Sequence, residues 1–352
     1  MKKVALMIAV TLGSLTVFAQ NVNKNELKQL QAFLAAPAEQ GMTNAQALKV
    51  TNVNDPSTWE GVTVANGHVT KIEWKNKKIA GTLNLKGFTA LTDVDVSRNS
   101  LTAVTVAGAS QLVNFNASRN KITEIDLAEC PQLINVSINN NRLTEFDLVD
   151  VPGIKKLNIA SNLMTSLDLS NSTTLQTVNC QSNRLEYLNI SNCTNLKNLY
   201  CGYNKLTGLT LTGVTNLTNL NIDDNHISNL LVSGLPALST FICSDNNMKT
   251  LGMRECNALL DIVCSYNDLT DFQVDNCPNI QFIDCSYNDL AQLTLSNLTF
   301  LQRLLCNNNE LTMLDVSFDS SLTYINCRFN MITDLRTIGC NSLNMIACQW
   351  NY

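Results

Sequence analysis

The sequence predicts a repeat solenoid: a right-handed horseshoe or arc of stacked coils with a parallel β-sheet on its concave face, little helix within the coils, and a small N-terminal cap of helix and hairpin. Three observations carry this prediction. An asparagine recurs every 21 residues, at Asn99, Asn120, Asn141, Asn162, Asn183, Asn204, Asn225, Asn246, Asn267, Asn288, Asn309, Asn330 and Asn351, without gap or insertion. Apolar residues fall in fixed columns of the same frame. Positions 3 to 7 of each unit alternate polar and apolar, the period of a half-buried strand. Self-similarity at a fixed period decides the architecture before any local reading does.

Twelve full units of 21 residues run from Leu91 to Ser342, a partial unit covers 343–352, and a degenerate first coil of 22 residues fills 69–90. Counting each unit from its leading leucine, as at Leu91 or Leu301, apolar residues dominate positions 1, 4, 6, 11, 14, 16 and 19. The unit "LQRLLCNNNELTMLDVSFDSS" shows the pattern with Leu301, Leu304, Cys306, Leu311, Leu314 and Val316. It resembles the leucine-rich repeat, whose signature L-x-x-L-x-L-x-x-N-x-L it matches, with cysteine often in the sixth place. The short, cysteine-bearing version is similar to the bacterial subtype of internalin-like surface proteins. That resemblance implies non-enzymatic protein–protein recognition or adhesion, with a ligand on the concave face and a host or cell-surface partner.

One strand per coil stacks at about 4.8 Å, so the array spans roughly 60 to 70 Å. The position-9 asparagine, represented by Asn246, Asn267 and Asn288, sits where the chain turns inward after the strand. Its amide both donates and accepts, so it is expected to satisfy backbone groups that the turn would orphan.

All 13 cysteines lie in two columns. Position 6 holds Cys180, Cys201, Cys243, Cys264, Cys285, Cys306, Cys327 and Cys348; position 19 holds Cys130, Cys193, Cys256, Cys277 and Cys340. Elsewhere the same columns carry Ile138, Ile159, Ile222, Val151, Val214 and Leu235, so Cys264, Cys285 and Cys306 read as core packing residues. Disulfides between coils would suit an exported chain, but in-register side chains stand about as far apart as their backbones, wider than a relaxed bridge wants. A metal site needs convergent ligands, and two straight columns without histidine do not supply them.

Ahead of the array, "NKNELKQLQAFLAA" places Leu27, Leu30, Phe33 and Leu34 at helical spacing, with Pro37 as a stop. "STWEGVTVANGHVTKIEW" reads as two extended runs about the Asn66-Gly67 turn signal. The Trp59-Glu60-Gly61-Val62 stretch and "IAGTLNL" resemble the cap of plant-type leucine-rich repeat proteins, without the cysteines of that cap. A cap over 20–68 is expected because the first coil needs a cover; Ile72, Trp74, Ile79, Leu83, Leu85 and Phe88 of the degenerate coil are expected to point inward. At the other end the strand near Ile346 and Cys348 has no comparable cover, and an open edge can pair with another chain; a dimer through that edge is therefore expected.

"MKKVALMIAVTLGSLTVFAQ" has the charged, apolar and small-residue parts of a secretory signal over 1–19. The apolar run is too short to span a bilayer, and no later run is long enough. A secreted chain is the expectation, with periplasm, medium and cell surface all open. Setting aside Lys2 and Lys3 leaves 22 basic against 29 acidic side chains, which argues against a nucleic-acid partner. The charge is uneven: residues 20–205 hold 17 basic and 15 acidic side chains, and 206–352 hold 5 and 14.

Catalysis has no visible basis. His68 and His226 are the 2 histidines; neither stands beside a nucleophile in the repeat frame, and no phosphate-loop, dinucleotide or zinc-protease motif occurs. Binding does have one. Early coils present Asn114, Asn116, Asn135, Asn158, Asn179, Asn198 and Asn219 outward, whereas later coils present Tyr200, Tyr203, Tyr266, Phe282, Tyr287, Leu305, Tyr324, Phe329 and Trp350 among Asp224, Asp245, Asp268, Asp284, Asp289 and Glu310. Aromatic anchors of this kind suit a protein interface. The same set also suits sugar rings, so a carbohydrate-binding module is the alternative. No cofactor is expected beyond calcium, which the stacked column Asp268, Asp289 and Glu310 would admit because like charges at strand spacing repel.

Overall fold

The computed structural model describes residues 22–149, 151–295 and 298–351. The expected secretory signal and Tyr352 lie outside them. The chain winds into a solenoid whose main sheet has fifteen strands. Its first two strands, β1 (Val62–Ala65) and β2 (His68–Glu73), form an antiparallel hairpin. Every later partner is parallel and in register, from Lys71↔Asp93 at the 22-residue coil to Tyr324↔Met345 at the end. Each array strand is three residues long, positions 3 to 5, as in Asp261–Val263 and Phe282–Asp284. Position 4 points into the core and positions 3 and 5 outward, because successive side chains alternate across a pleated strand.

A feature the repeat pattern did not announce lies on the opposite side of the coils. Short parallel strands form there in separate patches, for example Ala80–Asn84 with Ser100–Thr105 and Glu124–Asp126, and Asn229–Ser233 with Thr250–Arg254 and Asp271–Asp275. The apolar residues at positions 14 and 16 alternate with polar neighbours, the same period-2 pattern in weaker form.

The interior is one continuous hydrophobic cluster running from Val22 to Ile332. The cap is part of it. Helix α1 (Lys24–Ala35) is capped by Asn23, whose side chain accepts from the backbone amides of Asn25 and Glu26, a standard helix start. Leu30, Phe33 and Leu34 are buried and Phe33 stacks on Trp74 at 5.8 Å. Leu27, expected inward, is only half-buried; Glu26 takes the interior place. The Glu26 carboxylate binds the His68 ring at 2.8 Å and accepts from the Val69 amide at 2.8 Å. His68 is thus a tie between helix and hairpin rather than a free surface side chain. Asn66 and Gly67 both adopt positive φ, 51° and 76°, as a tight hairpin turn requires.

The position-9 asparagines stitch neighbouring coils. Asn246 donates to the carbonyls of Cys243 and Ser244 in its own turn, and to Ile222 in the preceding coil at 3.0 Å. Its Oδ1 accepts from the Ile227 amide of that coil at 3.0 Å. Asn267 and Asn288 repeat the set. One side chain therefore reaches four backbone groups: it supplies the partner of the Ile227 amide and shares the three carbonyls with Asn225, Asn267 and the Asp224 amide.

The thirteen cysteines are all unpaired; eleven are buried, Cys340 is half-buried and Cys348 exposed. Burial pushes the Cys180 thiol up to about 12 and the Cys327 thiol up to about 11, so these position-6 thiols are not nucleophilic in the fold, whereas at position 19 a hydrogen bond with Cys256 lowers the Cys277 thiol to about 7. Position-19 cysteines do more than fill space. The Cys130, Cys193 and Cys340 thiols donate to the carbonyls of Val106, Leu169 and Val316, each 24 residues earlier. Asp319 occupies this same column, buried, with Oδ2 lacking any partner; burial, then the nearby Asp315, raises its carboxyl to about 6.

Candidate interaction surface of the later coils

Two surfaces adjoin along the later coils: the outward face of the main sheet, at positions 3 and 5, and the rim that follows it, at positions 8 and 10. The predicted site residues divide between them. Tyr200, Phe282, Asp284, Leu305 and Tyr324 lie on the sheet face and are half-buried by their neighbours. Tyr203, Asp224, Asp245, Tyr266, Tyr287, Phe329 and Trp350 form column 8, and Asp268, Asp289 and Glu310 lie in column 10; all ten are exposed.

On the sheet face, several of these side chains are already engaged. The Arg303 guanidinium sits between the rings of Phe282 and Tyr324, 5.3 and 5.8 Å from their centroids, a doubled cation–π contact. Asp284 accepts from the Ser286 amide at 3.0 Å and its hydroxyl at 2.6 Å, so it braces the turn. Asn116, Asn158, Asn179 and Asn221 make the same contact two residues ahead. Position 5 is thus a second bracing column, which its Asn and Asp content signalled. In the early coils the position-3 amides bond each other, Asn135 to Asn114 at 2.7 Å and Asn219 to Asn198 at 2.6 Å. A shallow depression lies over this part of the sheet, bordered by Asn114, Asn135, Lys156, Thr177 and Tyr200.

The rim carries the observation that sequence reading missed. Column 8 has positive φ in all thirteen coils, from 58° at Arg98 through 56° at Tyr203, 54° at Tyr266, 55° at Tyr287 and 54° at Phe329 to 64° at Trp350. Asparagine and aspartate tolerate this left-handed conformation, and bulky side chains seldom adopt it. Asn140, Asp224, Asp245 and Asn308 in the same column were the available clue. The later coils nevertheless put five aromatic rings there. Tyr266 stacks on Tyr287 at 4.2 Å and Phe329 on Trp350 at 5.9 Å. A hydrogen bond with Tyr287, more than burial, raises the Tyr266 phenol. Trp350, 73% exposed, stacks on the rim and leaves Ile346 and Cys348 open at the last strand.

Charge on the rim is uncompensated within the chain. Asp268, Asp289 and Glu310 follow one another along column 10 without converging, and among the described residues no three His, Cys, Asp or Glu side chains converge to hold a metal ion. The calcium expectation thus finds no donor set there. Burial and then Asp224 raise the Asp245 carboxyl, the direction expected for crowded like charges. No helix among the described residues is long and apolar enough to cross a membrane.

No family profile matches the chain, and no curated protein does. Solved structures do. The internalin InlF of Listeria monocytogenes is 17% identical, with 94% of this chain and 98% of that one covered at a TM-score of 0.58. The functional domain of InlJ from the same organism, described as including a cysteine ladder, is 25% identical over 73% of this chain and 70% of that one at a TM-score of 0.44. The leucine-rich repeat chain of FLRT2, from a complex with latrophilin 3 and Unc5D, is 20% identical over 66% of this chain and 76% of the matched chain at a TM-score of 0.50. With its 21-residue coils, parallel sheet and buried asparagine and cysteine columns, the chain has the leucine-rich repeat solenoid fold.

Proposed function

We propose that this protein is an exported, non-enzymatic recognition protein that binds a protein ligand through the sheet face and rim of its later coils, in an adhesive role at or outside the cell surface. The observation that carries the reading is the run of exposed aromatic rings held in left-handed backbone. A fold that keeps unfavourable backbone–side-chain combinations at five exposed positions gains nothing for its core from them, and strain of this kind concentrates at functional sites. Stacked tyrosines also supply large contact area at low entropic cost, the property that makes them interface anchors. The FLRT2 chain, a repeat of the same fold, was solved in a complex with two other proteins, which supports protein rather than small-molecule recognition.

The test is direct. The chain without residues 1–21 is immobilised and offered a cell-surface protein fraction and, in parallel, a glycan array. A retained protein whose affinity falls at least about tenfold on changing Tyr266 and Tyr287 to Ala, as loss of two anchor side chains implies, supports the reading. Retention on glycans alone would replace it with the carbohydrate alternative, and unchanged protein affinity in the double variant removes these tyrosines from the site.

A further inference from the structure

The rim holds a pattern that the aromatic ladder does not explain. In columns 8 and 10, five of the first six full coils carry a basic side chain and none an acidic one, the next five all carry an acidic one, and the sign changes once, between Lys205 and Asp224 on adjacent coils. Counted outward from that boundary, opposite charges stand at equal distances. Lys205 and Asp224 are in the first coil on either side, Arg184 and Asp245 in the second, Arg142 and Asp289 in the fourth, and Lys121 and Glu310 in the fifth. Column 12 obeys the same rule with the signs exchanged: its charged residues, Glu186 and Lys249, are both in the second coil. All ten side chains are exposed. None takes part in the ion pairs found among the described residues, which lie in the cap and first coil or on the opposite side of the coils.

We propose that the rim is a self-complementary interface, and that the chain pairs with a second copy of itself, antiparallel and rim to rim, about a two-fold axis between the coils of Lys205 and Asp224. A two-fold interface sets the same patch against itself reversed, so it requires a surface whose charge inverts about its own centre. The rim meets that condition in four of the first five coil pairs, with position 10 facing position 10 or its neighbour at 8 and position 12 facing position 12; in the third pair Asp268 faces the uncharged Ser161 and Leu163. The coils are in register throughout, so their common spacing preserves the match along both arms. Aromatic rings fall into the same scheme. Tyr287 shares the fourth coil with Asp289 and opposes Arg142, and Phe329 in the sixth opposes Arg98, which adds cation–π contacts to the ion pairs. Leu163, the one apolar residue in the basic arm of column 10, shares the third coil with Tyr266 opposite. A purely basic or purely acidic partner would leave one arm unanswered; the chain itself carries both signs in the mirrored order.

The inference rests on the reading of the rim as an interface and names its partner; a ligand on the sheet face is a separate matter. The test uses sedimentation of the chain without residues 1–21. The wild type is expected to reach twice the mass of one chain by roughly 100 μM at low ionic strength and to revert to one chain near 1 M salt, where screening acts within about 3 Å. In columns 8 and 10, R184E/K205E makes the four coils about the boundary acidic, and D224K/D245K makes them basic. Each variant alone is expected to remain monomeric, and an equimolar mixture to recover the doubled mass, because each arm again meets its opposite. All four positions are exposed, so unchanged circular dichroism is expected to accompany the change in mass. A monomeric wild type under these conditions, or a dimer indifferent to both variants, overturns the proposal. A monomer that still binds a protein ligand through Tyr266 and Tyr287 overturns it while leaving the recognition reading intact. A salt-sensitive dimer rescued by mixing supports it even where no protein ligand is found.

Discussion

The early and late coils share one backbone and differ in what they hang on it. Coil 133–153 and coil 238–258 have the same three-residue strand step, the same left-handed residue at position 8 (Asn140, φ 57°; Asp245, φ 52°) and the same stitched asparagine at position 9. Asn141 bonds Ala117, Ile138 and Ile122 just as Asn246 bonds Ile222, Cys243 and Ile227. Yet the rim of coils 91–195 carries basic side chains and no aromatic ring, and that of coils 217–321 carries acidic side chains with Tyr266 and Tyr287. The scaffold therefore accommodates either decoration, and differences between coils at exposed positions are not imposed by the backbone frame.

That comparison can be broken at several points. The largest effect should come from the stitch itself: Asn141→Ala and Asn246→Ala each leave one buried backbone amide, that of Ile122 or Ile227, without its partner, and each should cost up to about 3 kcal/mol in chemical denaturation. Equal costs in the two halves would confirm a common frame; a cost confined to one half would show that the coils are not equivalent. Next is Asp319, the acid in a column otherwise filled by apolar residues, thiols and Ser172. Its carboxyl titrates near 6 in the fold against 3.8 as the reference value, so the native state holds the proton more tightly than the unfolded state. Stability should fall as pH rises from about 4 to about 6 and level off above that, the opposite of a salt-bridged carboxylate. Asp319→Asn should abolish that slope and raise stability at pH 7 by up to about 2 kcal/mol, read from melting curves across pH.

A smaller effect is expected at Tyr203, exposed, left-handed and outside both stacked pairs. Tyr203→Asn should stabilise the chain by about 0.5–1 kcal/mol, because asparagine accepts that backbone more readily. A loss instead would mean that the ring serves the fold, and would weaken the contrast between scaffold and decoration. The smallest test carries no energy at all. Without reductant, a thiol reagent should label Cys348 rapidly and Cys340 slowly in the native chain, and all 13 after denaturation; many fewer in the denatured chain would mean that bridges exist.

Much of this architecture was legible in the sequence because a 21-residue beat leaves few ways to stack. Asparagine at position 9 and alternation at positions 3 to 7 specify strand, turn and register together. The opposite-side strands were not legible, since positions 13 to 15 alternate too briefly and the patches there break and resume. In the candidate site, composition revealed the column of rings but not its conformation. A tyrosine does not advertise a positive φ; only its column-mates Asn140 and Asn308 do. Arg303 was passed over because a lone cation in an acidic half gives no hint that two rings flank it, while Asp284 was assigned to binding although its side chain is spent on the Ser286 turn. The pairing of Glu26 with His68 was not legible because a helix and a hairpin 42 residues apart meet only in three dimensions.

The asparagine stitch also gives the molecule a direction in time. Each Asn side chain reaches back, to a carbonyl 24 residues earlier and an amide 19 residues earlier, so a coil's turn is completed by the coil that follows it. A chain leaving a ribosome or a translocation channel N-terminus first would therefore lock each coil upon arrival of the next, with the cap helix as the fixed end. At any moment a single unfinished turn travels with the growing tip, and the exposed apolar surface waiting for cover stays constant however long the array becomes.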